Sequence, residues 1–318
     1  MFFFTFSHKN DNFAVGSRES VGQIYSLMAL KMATLIDGLK IAGEMYDSLK
    51  VEVDELIREH HVLPKLCVIL VGKNPASLSY IKQKQKACAR TGIEWEQFDY
   101  EESVTTEELI AKIEELNTNE RVHGILVQLP LPKHISVPLV IRAIEPKKDV
   151  DGFTAYNIGK MFLSSGFEDL APCTPLGVIK MLEYYKIDIK GKDAVVVGHS
   201  NIVGKPLSTM LLNRNATVTT CHIDTKDLAF HTKRADILCV GVGKQNLITA
   251  DMVKEGAVVI DIGCNKCGDG KLRGDIDYEN IEKKASYITP VPGGVGPMTV
   301  ACLMLNTVKA AKRLNDLA

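Results

Sequence analysis

Short apolar runs bounded by glycine or proline alternate with helically periodic stretches along most of the chain. KLCVILVG (65–72), EWEQFDY (94–100) and GILVQLPLP (124–132) are strand-type segments. Between them, ASLSYIKQKQKAC (76–88) and TTEELIAKIEELN (105–117) repeat their apolar positions at helical spacing. Strand and helix in turn predict βαβ units and a largely parallel sheet. Ahead of them, ATLIDGLKIAGEMYDSLKVEVDELIREH (33–60) is expected to form one long amphipathic helix beginning near Met32. PLVIRAIE predicts a helix ending before Pro146, followed by the turn-rich KKDVDGF.

A second series begins with the helix-type PLGVIKMLEYYKI (175–187). The apolar strand DAVVVG, a turn, the helix KPLSTMLLNRN and the strands ATVTTCH, ADILCVGVG and AVVIDIG follow. Buried-type strands interleaved with helices describe a doubly wound sheet. The chain ends in YITPVPGGVGPMTVACLMLNTVKAAKR, whose last part predicts another long helix. The fold class is therefore α/β, with two α/β domains around a cleft and a Rossmann-like dinucleotide-binding domain as the second.

One lysine breaks the pattern. At about 100° per residue, Ser77, Tyr80, Ile81, Lys84, Ala87 and Cys88 share one arc of the 76–88 helix, whereas Lys82, Lys86 and Arg90 face the other way. Lys84 thus lies in the middle of the less polar face. Periodicity alone is satisfied by a snorkelling surface lysine there.

Composition narrows the partner. The 318 residues carry 38 Lys plus Arg against 39 Asp plus Glu, so no overall charge draws the chain to nucleic acid or an acidic membrane. No apolar stretch approaches the roughly 20 residues of a membrane-spanning helix. Eight cysteines scattered through strands and helices resemble core usage in a reducing compartment, which predicts a cytoplasmic protein. Cys264 and Cys267 have metal-ligand spacing, but no second pair completes a zinc site, so no metal is expected. Residues 1–31 lack the pattern of the rest and are read as a leader, expected to be disordered, with organelle targeting left open.

VVVGHSNIVGKP is the turn with dinucleotide-binding potential. Gly198 follows a strand and Gly204 opens a helix, an arrangement that lets backbone amides approach a pyrophosphate, although the spacing is not GxGxxG. The next strand ends in Cys221-His222-Ile223-Asp224, where such folds read the adenosine ribose. Asp224 suits a ribose hydroxyl and hence NAD, while His199, His222 and Lys226 suit a 2′-phosphate and hence NADP.

VGKNPASLSYIKQKQKAC, GILVQLPLP, PKKDVDGF and TPVPGGVGPMT, with GHSNIVGKP between the last two, together resemble the bifunctional methylenetetrahydrofolate dehydrogenase/methenyltetrahydrofolate cyclohydrolase family, from about Met32 to Arg313. The resemblance implies a folate-binding catalytic domain from residues 32–152 plus 288–318, an NAD(P)-binding domain from 153–287, tetrahydrofolate substrates and a homodimer. It makes Tyr80 and Lys84 the tyrosine and lysine of the YxxxK element, Gln128 the glutamine of VQLPLP next to Leu129, and Asp151 the second aspartate of DVDG. Pro292, Gly293 and Gly294 line the folate pocket by the same carry-over, and Gly198, His199, Ser200, Ile223 and Cys264 face the cofactor. Lys84 then becomes the proton-transfer group, Gln128 its orienting partner, Tyr80 a packing surface for substrate and Asp151 the pterin anchor.

Many members carry Arg or Ala at the position of His199 and Ser or Arg at that of Ile223, next to the 2′-phosphate. NADP is the expected cofactor, with NAD as the alternative. His123 and His222 sit in no motif that assigns them a role. Two other readings stay open at this point: a two-domain amino- or hydroxy-acid dehydrogenase, and a catalytically silent folate-binding homologue.

Overall fold

A computed structural model describes residues 32–317; the leader lies outside the described residues. In chain order the strands are β1 (Thr34–Leu35), β2 (Lys65–Val71), β3 (Glu94–Tyr100), β4 (Gly124–Val127), β5 (Asp193–Val197), β6 (Thr217–Cys221), β7 (Ile237–Val240), β8 (Val258–Asp261), β9 (Asn265–Lys266), β10 (Leu272–Arg273) and β11 (Tyr287–Ile288). The α-helices are α1 (Gly38–His60), α2 (Pro75–Thr91), α3 (Thr106–Thr118), α4 (Val137–Ala143), α5 (Ala155–Met161), α6 (Cys173–Tyr184), α7 (Gly204–Leu212), α8 (Leu228–Thr232), α9 (Tyr278–Ile281) and α10 (Val295–Leu314). Two parallel sheets result, one of order β3-β2-β4 and one of order β1-β11-β8-β7-β5-β6.

Both sheets are covered on both faces, which explains why their central strands read as continuous apolar runs. In β2, Leu66, Val68 and Leu70 enter the core beneath the helices, while Cys67, Ile69 and Val71 pack on the opposite face. In β5, Ala194 and Val196 share that first core and Val195 and Val197 join another. The first core is continuous between the sheets because α10 packs against α6, α1 and α2. Burying a Leu- or Ile-sized side chain there contributes roughly 1.5–3 kcal/mol.

Local signals place the helix ends. Thr105 and Glu108 form a reciprocal capping box at the start of α3. Lys148, almost fully buried, donates from Nζ to the carbonyls of Leu116, Asn117 and Asn119 and closes the end of the same helix.

The opening helix is shorter than its periodicity predicts. Thr34 and Leu35 pair with Tyr287 and Ile288 at the edge of the six-stranded sheet, and helix begins only after Asp37, whose carboxylate accepts from Lys40 N–H at 3.0 Å. The aspartate cap and the open sheet edge together outweigh the helical pattern of 33–37. The short elements β9, β10, α5 and α9 carry too few residues to announce themselves by periodicity.

His123 is buried with Nδ1 accepting from Lys65 N–H at 3.1 Å, and burial, aided by Lys148, pulls its pKa down to about 4. The ring is neutral in the fold, whereas an unfolded histidine takes up a proton near pH 6.5. Its contribution to stability is present above about pH 6.5 and is lost as pH falls toward 4. The expected loss is at most about 3 kcal/mol at 1.36 kcal/mol per pH unit. Urea unfolding at pH 7 and pH 4.5 checks this: His123→Gln should show a smaller acid loss than the parent chain.

Candidate active site

The C-terminal ends of β2, β4, β5, β7, β8 and β11 carry the motif residues, which is where open parallel sheets bind ligands. The arc of α2 is as its spacing predicts. Ser77, Ile81, Lys84, Ala87 and Cys88 are buried, Tyr80 is half-buried, and Lys82, Lys86 and Arg90 are exposed.

Lys84 is 7% exposed and donates from Nζ to Gln128 Oε1 at 2.9 Å. The Gln128 amide is fixed at its other end, where Nε2 donates to the Leu129 carbonyl at 2.7 Å. That second bond turns Oε1 toward the lysine. Burial lowers the pKa of Lys84, opposed by the nearby Asp151, and burial raises the pKa of Asp151, opposed by Lys84. Both shifts favour the neutral forms, so Lys84 holds a free lone pair nearer to neutral pH than a solvated lysine would.

The two aspartates of DVDG divide their work. Asp149 is buried and accepts from the backbone N–H groups of Gly152, Phe153 and Thr154 and from Asn157 Nδ2, so it makes the turn. Asp151 is only partly buried and faces Lys84 and the Cys173 thiol. Asn306 of α10, fully buried, ties this turn in place by donating to the carbonyls of Val150 and Ala171, both at 2.9 Å. Neither Asn306 nor Cys173 belongs to a motif, and only the tertiary fold brings them here.

Tyr80 reaches across to the second sheet. Its hydroxyl interacts with the Cys264 thiol, and burial together with that sulfur pushes its pKa up to about 12. The loop after β11 completes this side. Leu39 N–H donates to the Gly293 carbonyl at 3.1 Å, and Gly293 has φ 108°, a conformation that favours glycine. The Leu129–Pro130 and Val291–Pro292 peptide bonds, one in each substrate-side loop, are cis.

In the cofactor turn, Ser200 Oγ accepts from Val203 N–H at 3.2 Å and from Gly204 N–H at 3.4 Å. A Cβ on Gly204 would lie 1.9 Å from the Gly198 carbonyl oxygen, and one on Gly198 would lie 2.4 Å from that of Gly241. The backbone is thus as close as glycine permits, forming a cradle that suits a dinucleotide pyrophosphate. The His199 and His222 rings lie side by side at the exposed rim, with centroids 5.0 Å apart and planes tilted by 44°. Asp224 donates its N–H to His222 Nδ1 at 3.3 Å, and Ile223 is 93% exposed beside them.

Comparison with known proteins agrees with this geometry. Residues 36–151 match the catalytic domain of tetrahydrofolate dehydrogenase/cyclohydrolase, and residues 172–315 match its NAD(P)-binding domain. The chain belongs to the tetrahydrofolate dehydrogenase/cyclohydrolase family. The bifunctional protein FolD of Nautilia profundicola is 58% identical over 279 residues, covering 88% of this chain and 97% of that protein. The crystal structure of FolD from Campylobacter jejuni superposes with a TM-score of 0.85 at 52% identity, covering 88% of this chain and 99% of that one. The Trypanosoma brucei enzyme, solved with NADP and an inhibitor, gives a TM-score of 0.85 at 36% identity, covering 89% and 98%. The protein is accordingly a bifunctional methylenetetrahydrofolate dehydrogenase and methenyltetrahydrofolate cyclohydrolase with an NAD(P)-binding domain. Among the described residues no helix is long and apolar enough to cross a membrane.

Proposed function

We propose that Lys84 carries the proton transfers of the cyclohydrolase step, and that the dehydrogenase step uses NADP in preference to NAD. The observation that supports the first part is the buried Lys84–Gln128 hydrogen bond facing Asp151. The oxidised nicotinamide ring, when bound, accepts hydride from the methylene bridge and leaves a cationic methenyl group. The chain's own part in that step is orientation and exclusion of water. Tyr80 packs on the aminobenzoyl ring, Leu129 and the Pro292-Gly293-Gly294 loop line the flat substrate, and Asp151 accepts hydrogen bonds from the pterin.

In the second step a water oxygen adds to the methenyl carbon while its proton passes to the neutral amine of Lys84. The resulting ammonium gives its proton to the ring nitrogen as the bond from that nitrogen to the carbon breaks, and the amine so regenerated takes the remaining hydroxyl proton as the C=O forms, giving the 10-formyl product and one proton released to solvent. Gln128 holds the amine in place through both transfers. Because Gln128 accepts only one of the amine's hydrogens, the lone pair stays free for water.

For the cofactor, Gly198, Ser200 and Cys264 line the dinucleotide side and His199, with Ile223 at its flank, faces the 2′-phosphate. The adjacent, mutually tilted His199 and His222 rings offer donors to that phosphate, while the Asp224 backbone N–H donates to His222 Nδ1 and the exposed Asp224 carboxylate lies 3.8 Å from the same nitrogen. Residues 32–152 with 288–318 form the folate domain and 153–287 the dinucleotide domain, apart from Thr34–Leu35 and Ile288, which extend the dinucleotide domain's sheet, and the enzyme works as a cytoplasmic homodimer. Following methenyl and reduced-nicotinamide absorbance with methylenetetrahydrofolate, with NADP and NAD in parallel, tests the reading. We expect turnover with both, and a kcat/KM at least about tenfold higher for NADP, about 1.4 kcal/mol. A tenfold advantage for NAD would reverse the cofactor assignment, and no turnover with either would end the functional one.

A further inference from the structure

Away from Lys84, two more carboxylates are buried where no motif announced them. Asp275 is fully buried and Asp261 is 3% exposed. Asp275 Oδ2 accepts from the consecutive backbone N–H groups of Val242 at 2.6 Å and Gly243 at 2.9 Å, in the loop that follows β7. Its Oδ1 accepts from Asn265 Nδ2 at 2.8 Å, just beyond Cys264. Asp261, at the end of β8, accepts from the N–H groups of Gly263 at 3.0 Å, Asp275 at 2.9 Å and Ile276 at 3.2 Å.

The backbone is built around these two side chains. A Cβ on Gly263 would lie 2.3 Å from Asp275 Oδ1, and one on Gly274 would lie 1.8 Å from Asp261 Oδ2. Burying two carboxylates side by side is costly, and burial with the neighbouring Asp275 raises the pKa of Asp261 to about 6. Apolar residues of similar volume would leave the N–H groups of Val242, Gly243, Gly263, Asp275 and Ile276 without acceptors. What the carboxylates do that apolar side chains cannot is fix backbone N–H groups. The N–H groups of Val242, Gly243 and Gly263 that they fix, with the Asn265 amide, belong to the two rim loops, 241–243 beside the Gly198 cradle and 263–265 next to it, while the N–H groups of Asp275 and Ile276 hold the clamp itself together. The clamp borders a cavity of about 340 Å³ lined by Gln245, Asn246, Arg273, Gly274 and Val291.

The substrate loop is tied to the same strand by a separate route. Thr289 Oγ1 accepts from the backbone N–H of Asp261 at 2.7 Å, so its anchor is the strand itself rather than either carboxylate. Removing the Asp275 carboxylate would therefore loosen the cofactor loops and leave the Pro292-Gly293-Gly294 loop held.

We infer that Asp275, braced by Asp261, is a positioning residue for the dinucleotide, setting the 241–243 and 263–265 loops that receive it and serving the dehydrogenase half of the enzyme alone. The inference rests on the bifunctional reading and is tested within it. The full-length Asp275→Ala variant is assayed twice: as a dehydrogenase against varied NADP, and as a cyclohydrolase on preformed methenyltetrahydrofolate without dinucleotide. The KM for NADP should rise at least about tenfold, while kcat/KM for hydrolysis stays within about twofold of the parent. Asp275→Asn should recover part of the loss, since one amide oxygen can still receive the Val242 and Gly243 N–H pair. If Asp275→Ala does not fold, Asn265→Ala, which removes the donor holding Oδ1, should show the same one-sided effect at smaller size. Parallel loss of both activities, or an unchanged KM for NADP, would overturn the inference. An inactive parent chain would instead sink the functional reading beneath it.

Discussion

Lys84→Met is expected to abolish the cyclohydrolase, lowering hydrolysis of methenyltetrahydrofolate by about two to four orders of magnitude, the range that a positioned acid/base group supplies. Methionine keeps the length and apolar stem of the lysine, so the buried arc with Ile81, Ala87 and Cys88 remains packed. The local cost is the unpaired Gln128 Oε1, on the order of 1–3 kcal/mol for a buried acceptor without a donor. Substrate contacts at Tyr80, Asp151 and the Pro292-Gly293-Gly294 loop are untouched, and folate binding should remain measurable by titration. Loss of methenyl absorbance, corrected for the buffer-catalysed rate, reads the chemistry. Unchanged hydrolysis would refute the role.

The pH dependence carries the same argument. Burial lowers the pKa of Lys84, so the neutral amine that takes the water proton forms at lower pH than for a solvated lysine. The rate of hydrolysis should rise with pH through an apparent value below the ordinary lysine value. In Lys84→Arg that limb should vanish, because the guanidinium stays charged throughout.

How much of this was legible in the sequence depends on the range of the interaction. Lys84 stood out from Lys82 and Lys86 because helix geometry is local, and its burial matches the arc. Its partner Gln128 lies 44 residues away in a different strand, and no periodicity links the two. The motifs supplied that link through resemblance. Within DVDG the motif singles out Asp151 alone, and only the hydrogen bonds show that its neighbour Asp149 makes the turn while Asp151 turns to the lysine. Asn306, Cys173, Asp261 and Asp275 belong to no motif, and each acts through contacts that only the tertiary fold makes. The strand at Thr34–Leu35 is hidden for a similar reason: its partner, Tyr287–Ile288, lies near the other end of the chain.

Gly38 shows how large an effect such a hidden contact can have. It is the first residue of α1, and a Cβ there would lie 1.9 Å from the Gly294 carbonyl oxygen and 2.9 Å from that of Gly293. The obstacle is backbone, so no side-chain rotation relieves it. Nor is the helix start free to retreat. Asp37 caps it, Asp37 N–H donates to the Tyr185 hydroxyl at 3.0 Å, and the preceding residues are held in the sheet edge by β11. The substrate loop must therefore shift in Gly38→Ala, breaking the Leu39–Gly293 hydrogen bond and moving the Gly293-Gly294 backbone that approaches the flat ring. Overpacking of this kind costs about 1–3 kcal/mol, which corresponds to a fall of roughly five- to 150-fold in folate affinity if most of it is borne by the loop. Both activities should fall together with a raised KM for folate and an unchanged KM for NADP, the reverse of the pattern expected for Asp275→Ala. Steady-state kinetics with each substrate varied in turn distinguishes the two, and a Gly38→Ala enzyme with a parental KM for folate would show that the loop does not shape that site.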